Sequence, residues 1–189
     1  MIPRRRTHKL AFLTPIVEDQ ADGLAQALAD LPTGTASPLA ELPYLHFARW
    51  VVIRDLPMDW AGAPRPRPRL RAPWLLFTTV LDRPARFPVR VGPRLLADVH
   101  DALPDAAAQV WGHCVGFPGV GSRERFVAYV GQGRVRTGLA FDGYPGLTVA
   151  EVRQAAAVRD DVAAFVAAHQ HTVDPAALQR EFLEAHGRW

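Results

Sequence analysis

Tyr44–Ile53, which reads YLHFARWVVI, is the stretch that decides the fold. Its aromatic and β-branched residues are typical of a strand, in which successive side chains point to opposite faces. One face then carries Tyr44, His46, Ala48, Trp50 and Val52. The other carries Leu45, Phe47, Arg49, Val51 and Ile53. Because the second set is the more apolar, we expect it to pack against helices, and the first set to line an uncovered face.

Three further strands are expected around this one. Leu10–Val17 precedes it, and Trp74–Leu81 and Val135–Phe141 follow it. The helices between them are predicted from apolar spacing, capping residues and prolines. The expected helices are one after Asp19 or Asp22 that ends before Pro32, one that starts at Pro93, one over Asp105–His113, and one opened by Ser122.

The resulting order, β-α-β-β-α-(α)-β, predicts an α+β fold with a ferredoxin-like antiparallel sheet. Two helices follow this order: one is capped by Thr148 and Glu151, and one starts at Pro175. We expect a flexible basic segment over 1–8, the ferredoxin-like domain over 9–146, and a helical extension over 147–189 packed on it. The helices on one side leave the other face of the sheet free. Either the extension covers that face, or two subunits bury it between them as a homodimer.

Composition narrows the class of protein. Apolar residues make up 49% of the chain, which is enough for a sizeable core. The arginines gather in Arg4–Arg6 and in the run from Pro64 to Arg71, without the interleaved aromatic groups that nucleic-acid surfaces need, so we expect no nucleic-acid partner. Cys114 is the only cysteine, so an intrachain disulfide is excluded. No apolar run approaches the length of a membrane span, and we expect a cytoplasmic protein without membrane contact.

Two histidines are the main candidates for chemistry. His46 lies between aromatic residues, which often line a small-molecule pocket, but a sheet histidine bonded to a backbone carbonyl is an equal alternative. His113 follows Trp111 and precedes Cys114 at the end of a helix. It could act as an axial haem ligand, a general base or a partner of the helix dipole. Cys114 is either a nucleophile or a small buried residue.

The sequence contains no phosphate-binding loop, dinucleotide fingerprint or nucleophile elbow. The remaining histidines lack zinc spacing, so no metal site is expected. Asp82 and Asp142, at the ends of two strands, are interpreted as turn formers.

Three segments carry a resemblance: LHFARW at Leu45–Trp50, VWGHC at Val110–Cys114, and GYPG at Gly143–Gly146. Together they resemble a group of uncharacterised bacterial proteins, which occur alone or inside longer chains. More distantly, the element order is similar to that of the dimeric α/β-barrel superfamily, which includes small monooxygenases, haem-degrading enzymes, chlorite dismutases and dye-decolorising peroxidases. In some haem-binding members the axial histidine comes from the second helix, where His113 falls. The resemblance therefore implies haem as a candidate cofactor, although a fold does not fix a function.

These observations lead to three hypotheses. The first is a small-molecule oxidoreductase, of the monooxygenase or peroxidase type, with its pocket on the uncovered sheet face. Its expected site has His113 and His46 as catalytic residues, His113, Trp50 and Arg49 as cofactor contacts, and Tyr44, Trp111 and Cys114 as the pocket lining. The second is a non-catalytic binding or accessory module that uses this face for dimer or partner contact. The third is cofactor-free catalysis with His46 or His113 as the base.

Overall fold

The computed structural model of the chain describes residues 7–56, 60–63, 65, 69–83, 90–136, 146–171 and 174–187. Within them the protein has an α+β architecture with one four-stranded sheet. The strands are β1 Thr7–Pro15, β2 Leu45–Ile53, β3 Trp74–Asp82 and β4 Arg134–Val135. They lie in the order β2-β3-β1-β4, and every neighbouring pair is antiparallel. The first three strands occur where the sequence predicts them. Of the predicted fourth strand, Val135–Phe141, the residues from 137 on lie outside the described part of the chain.

Four helices belong to the same part of the chain: α1 Ala21–Asp30, α2 Val91–Ala102, α3 Pro104–Trp111 and α4 Arg123–Gln132. Ser122 caps α4 as predicted, because its hydroxyl accepts a hydrogen bond from the backbone N–H of Arg125. The predicted cap of α1 is wrong. Gln20 occupies the N-cap position without a side-chain bond, and Asp22 instead pairs with Arg54 at 2.7 Å. Pro93 is the third residue of α2 rather than its first.

The four helices cover one face of the sheet, which we call the helix-covered face. Its strand residues join the side chains of α1–α4 in one apolar core; they include Leu10, Phe12, Leu75, Phe77 and Leu81. We call the opposite side of the sheet the second face. Its residues include Phe47, Arg49, Val51, Leu76 and Val80. The apolar residues among these five are outside the core cluster, and Phe47 is 52% exposed.

The predicted assignment of the two faces of β2 is therefore wrong. Trp50 lies opposite Phe77 in the sheet and stacks on it, with the ring centroids 5.3 Å apart. Ala48 and Val52 also pack against the core, whereas Arg49 and Phe47 are exposed. Both alternating sets of this strand are largely apolar, so the choice between them rested on a small difference in composition.

A β-bulge between Leu45 and Phe47 is a second reason why the predicted faces of β2 differ from those in the structure. Leu45 lies opposite Leu81 and Phe47 opposite Val80, so one extra residue, His46, is accommodated in β2. A bulge breaks the strict alternation of side chains. As a result, Leu45 packs against the core although Phe47, two residues later, does not.

Gly133 joins α4 to β4 at a very close approach to β1. A Cβ atom on this residue would lie 2.0 Å from the backbone oxygen of Leu13, a distance that no side chain tolerates. The carbonyl of Gly133 accepts a hydrogen bond of 2.8 Å from the N–H of Leu13. The absence of a side chain is thus what allows β4 to pair with β1 directly after the helix.

The chain divides into two compact units, Met1–Val149 and Ala150–Trp189. The second unit holds nearly all of α5 Val149–His169, together with α6 Pro175–His186. Phe165 packs edge-on against Phe182, and the ring of His169 pairs with Glu181 at 2.9 Å, so the two helices contact each other. Among the described helices, none has the length and apolar character needed to cross a membrane. Packing of the extension on the first unit stays a prediction.

Replacing Phe77 by alanine should lower the free energy of unfolding by about 3–5 kcal/mol, because it removes a fully buried ring and leaves a cavity. Phe47→Ala is the matched control, since it makes the same change one strand away on the second face. We expect this control to change the stability by less than about 1 kcal/mol. Urea denaturation at low protein concentration measures both. Equal losses for the two variants would contradict the assignment of the faces.

Candidate functional site

The side chains of His46 and Asp82 form a close pair where β2 begins and β3 ends. His46 Nε2 donates to Asp82 Oδ1 across 2.7 Å, and the two side chains are only 13% and 19% exposed. Asp82 also accepts a hydrogen bond from the backbone N–H of Val149, at 3.2 Å to Oδ1. Within the described part of the chain, the second ring nitrogen of His46 has no hydrogen-bond partner. A carboxylate that orients a histidine in this way is the arrangement used in acid–base catalysis.

A second polar group lies beside this pair. The hydroxyl of Tyr44 donates a short hydrogen bond to Asp98 on α2. Arg94, one turn earlier on α2, lies 3.7 Å from the same carboxylate and 5.7 Å from the centre of the Tyr44 ring. Burial, followed by the bond to Asp98, raises the pKa of Tyr44 above its usual value. The phenol therefore stays protonated, and its oxygen can still accept a hydrogen bond.

These groups surround a cleft of about 200 Å³ at the end of the sheet. Its described lining is Tyr44, Leu81, Asp82, Arg83, Val91 and Arg94. The volume is below the roughly 300–1,000 Å³ of pockets for drug-sized ligands, so the cleft suits a small molecule. Of the His46–Asp82 pair, Asp82 lines the cleft and His46 does not. We call this cleft, with His46 and Asp98, the Asp82 cleft.

His113 lies elsewhere, beside the start of α1 and the end of β1. Its Nδ1 donates to the side-chain carbonyl of Gln20 across 2.9 Å, and its backbone carbonyl accepts from the N–H of Val17. The ring also lies against Gly23, where an added Cβ would be 3.3 Å from it. His113 is not in the lining of the Asp82 cleft. The structure therefore does not bring the two predicted catalytic histidines into one site.

The three residues predicted to contact haem do not share a surface. Trp50 is stacked in the core, Arg49 is exposed on the second face, and His113 lies against α1. Adjacent strand residues such as Arg49 and Trp50 point to opposite sides of the sheet. As a set, these side chains do not fit one haem site. Whether the protein binds haem stays a prediction.

Trp111 and Cys114, predicted to line a pocket, are core residues. Trp111 is fully buried and packs edge-on against Trp50, Phe77 and Phe126. Cys114 is 3% exposed, and burial raises the pKa of its thiol to about 12. A thiol with this pKa is a poor nucleophile at neutral pH because almost none of it is ionised.

Among the described residues, no three His, Cys, Asp or Glu side chains converge as a group that could hold a metal ion. The resemblance segment GYPG lies outside the described residues except for Gly146.

Four polar residues of the Asp82 cleft were not predicted as site residues: Asp82, Arg83, Arg94 and Asp98. Asp82 was interpreted as a turn former, and Asp98 and Arg94 were not singled out. The pairing of β2 with β3 brings Asp82 to His46, and the packing of α2 brings Asp98 to Tyr44. The one available signal was a polar residue directly after a buried strand. Its partner could not be identified without the register.

Comparisons with protein-family models, curated proteins and solved structures find no match to this chain.

The burial of Cys114 leads to a prediction about thiol reactivity. At about pH 8 the folded protein should react slowly with Ellman's reagent, because a thiol in an unfolded chain has a pKa of about 8.5 and this one is held far higher. Adding denaturant should increase the rate in step with the unfolded fraction. The measurement is the absorbance of the released thionitrobenzoate. Rapid reaction of the native protein would contradict the core position of Cys114.

Proposed function

We propose that this chain is a small-molecule enzyme that transfers a proton in the Asp82 cleft without a bound cofactor. The observation that carries this proposal is the 2.7 Å bond between His46 and an Asp82 carboxylate that itself lines a cleft. In this proposal Asp82 faces the substrate as the proton acceptor. His46 holds the carboxylate in place through the hydrogen bond from its Nε2.

The remaining groups of the cleft support a substrate that carries a carboxyl or carbonyl group. Arg94 offers a guanidinium with paired donors, which matches the geometry of a carboxylate. The oxygen of Tyr44 can accept a hydrogen bond from the substrate, because its proton is donated to Asp98. Leu81 and Val91 supply an apolar wall. A short-chain 2-oxo acid carries the carboxylate and the carbonyl, its enol form supplies a hydroxyl that can donate to Tyr44, and the carbon next to its carbonyl can lose a proton to a carboxylate base.

The fold class is a separate part of the proposal. We propose that the sheet is of the ferredoxin-like class, which is supported by the strand order β2-β3-β1-β4 and by the helices on one face. Membership of the group marked by the LHFARW and WGHC segments, the oxidoreductase activity and the cytoplasmic location stay predictions.

The proposal predicts solvent deuterium exchange in a mixture of short-chain 2-oxo acids dissolved in D₂O, followed by proton NMR. The wild-type protein should replace protons next to the carbonyl of at least one acid. Asp82→Asn should abolish this exchange, and His46→Gln should slow it by about 10²- to 10⁴-fold, the usual contribution of acid–base catalysis. His171→Gln changes an exposed histidine of the second unit and serves as the control.

Circular dichroism of each variant must match that of the wild-type protein, because Asp82 also accepts a bond from Val149. Exchange that survives Asp82→Asn, or no exchange by the folded wild-type protein with any of the acids, would refute proton transfer in this cleft.

A second candidate function is an accessory module whose second face pairs with another copy of the chain. Four of its five named residues are apolar, and none of these four belongs to the core. These four residues form two cross-strand pairs, Phe47 with Val80 and Val51 with Leu76, on either side of the pair Arg49–Thr78. Exposed apolar side chains on a sheet face mark an interaction surface. Phe47, at 52% exposure, is the residue most available for such a contact.

If this pairing occurs, Phe47→Asp should shift the protein from dimer to monomer, because a carboxylate would be buried in an apolar contact. Sedimentation velocity over a range of concentrations measures the change. Leu56→Asp introduces the same charge at an apolar side chain that is 44% exposed and outside the sheet, so it should leave the dimer intact. A wild-type protein that sediments as a monomer at every concentration would exclude self-pairing.

A further inference from the structure

A second cleft lies at the edge of the sheet formed by β1 and β4. Its volume is about 560 Å³, and its described lining is Lys9, Arg134, Val135 and Arg136. This volume falls in the middle of the range for small-molecule sites. No part of the proton-transfer proposal uses it. We call it the basic cleft.

Among the described residues, no acidic side chain pairs with the cations of the basic cleft. Three of its four described lining residues are cationic, and Lys9 is the only lysine of the chain. Among the described residues, Lys9, Arg134 and Arg136 form no side-chain hydrogen bond and no ion pair. By contrast, Arg54 pairs with Asp22 and Arg123 with Asp101. Like charges brought together repel one another unless an anion lies between them.

The positive potential extends beyond the lining residues. The pKa of His8, next to Lys9, is lowered by burial first and then by the charges of Arg83 and Arg134. The guanidinium of Arg134 also lies beside the first turn of α2, with Nη1 at 3.8 Å from the position of a Cβ on Gly92. The first turn of a helix carries partial positive charge, so an arginine there gains nothing from the helix dipole. An anion bound here would be stabilised both by the guanidinium of Arg134 and by the first turn of α2.

We propose that the basic cleft binds a small molecule that carries phosphate groups. Arginine recognises phosphate through paired N–H donors, and lysine adds a mobile point charge. Arg134 lies in β4, Arg136 follows this strand directly, and Lys9 lies in the paired strand β1; all three line the same cleft. An extended nucleic-acid surface needs cations along a groove with aromatic platforms for the bases, and the described lining contains no aromatic residue.

Isothermal titration calorimetry with inorganic pyrophosphate tests this proposal on the full chain. The wild-type protein should show saturable binding at one site. Arg134→Gln and Arg136→Gln, both at exposed positions, should each weaken binding by about ten- to a hundredfold, as expected for loss of a hydrogen bond to a charged group. Lys9→Gln should weaken it as well. Arg125→Gln, an exposed arginine on α4 outside the cleft, is the matched control and should bind like wild type.

Three results would overturn the proposal. The first is the absence of saturable pyrophosphate binding by the folded wild-type protein. The second is an equal loss of affinity in Arg125→Gln, which would indicate a general charge effect. The third is a single-stranded oligonucleotide that displaces pyrophosphate and binds far more tightly, which would indicate a nucleic-acid surface. Loss of binding in Arg134→Gln with unchanged proton exchange in the Asp82 cleft would show that the two sites are independent.

Discussion

The edge-on packing of Trp111 against three aromatic rings is the contact on which the rest of the molecule depends. Its ring centroid lies 5.9 Å from that of Trp50, 5.5 Å from Phe77 and 5.3 Å from Phe126. These rings come from α3, two strands and α4, so one cluster fixes which side of the sheet the helices cover. Aromatic rings prefer this geometry because the positive edge of one meets the negative face of another.

One consequence of this contact is the separation of the two histidines. His113 is two residues after Trp111, so its backbone is carried to the end of β1, where it bonds to Val17. His46 is at the opposite end of the bulged strand from Ile53, next to α2 and the end of β3. Val91 of α2 lines the Asp82 cleft, and Arg134 of the basic cleft lies beside the next residue, Gly92.

The positions of the strands could be predicted from the sequence better than the side of the sheet to which each side chain points. The strands around Phe12, Trp50 and Phe77 were recognisable because each is a short run of β-branched and aromatic residues. The face of β2 was not recognisable, since Leu45 and Trp50 share a side only because His46 occupies a bulge. A bulge has no signature in a single sequence. Tyr44 and His46 were singled out as site candidates from the sequence, and the structure places Tyr44 in the lining of the Asp82 cleft and His46 against Asp82. Asp82 and Asp98 were not singled out, because register and helix packing create both contacts.

The close approach at Gly133 limits how this chain can change. Every other amino acid would place a carbon atom inside the carbonyl group of Leu13. The neighbouring arginines face no such restriction, since their side chains point away from the crowded backbone. Mutation can therefore change the charge of the basic cleft one arginine at a time, while the glycine beside them is held constant by steric exclusion alone.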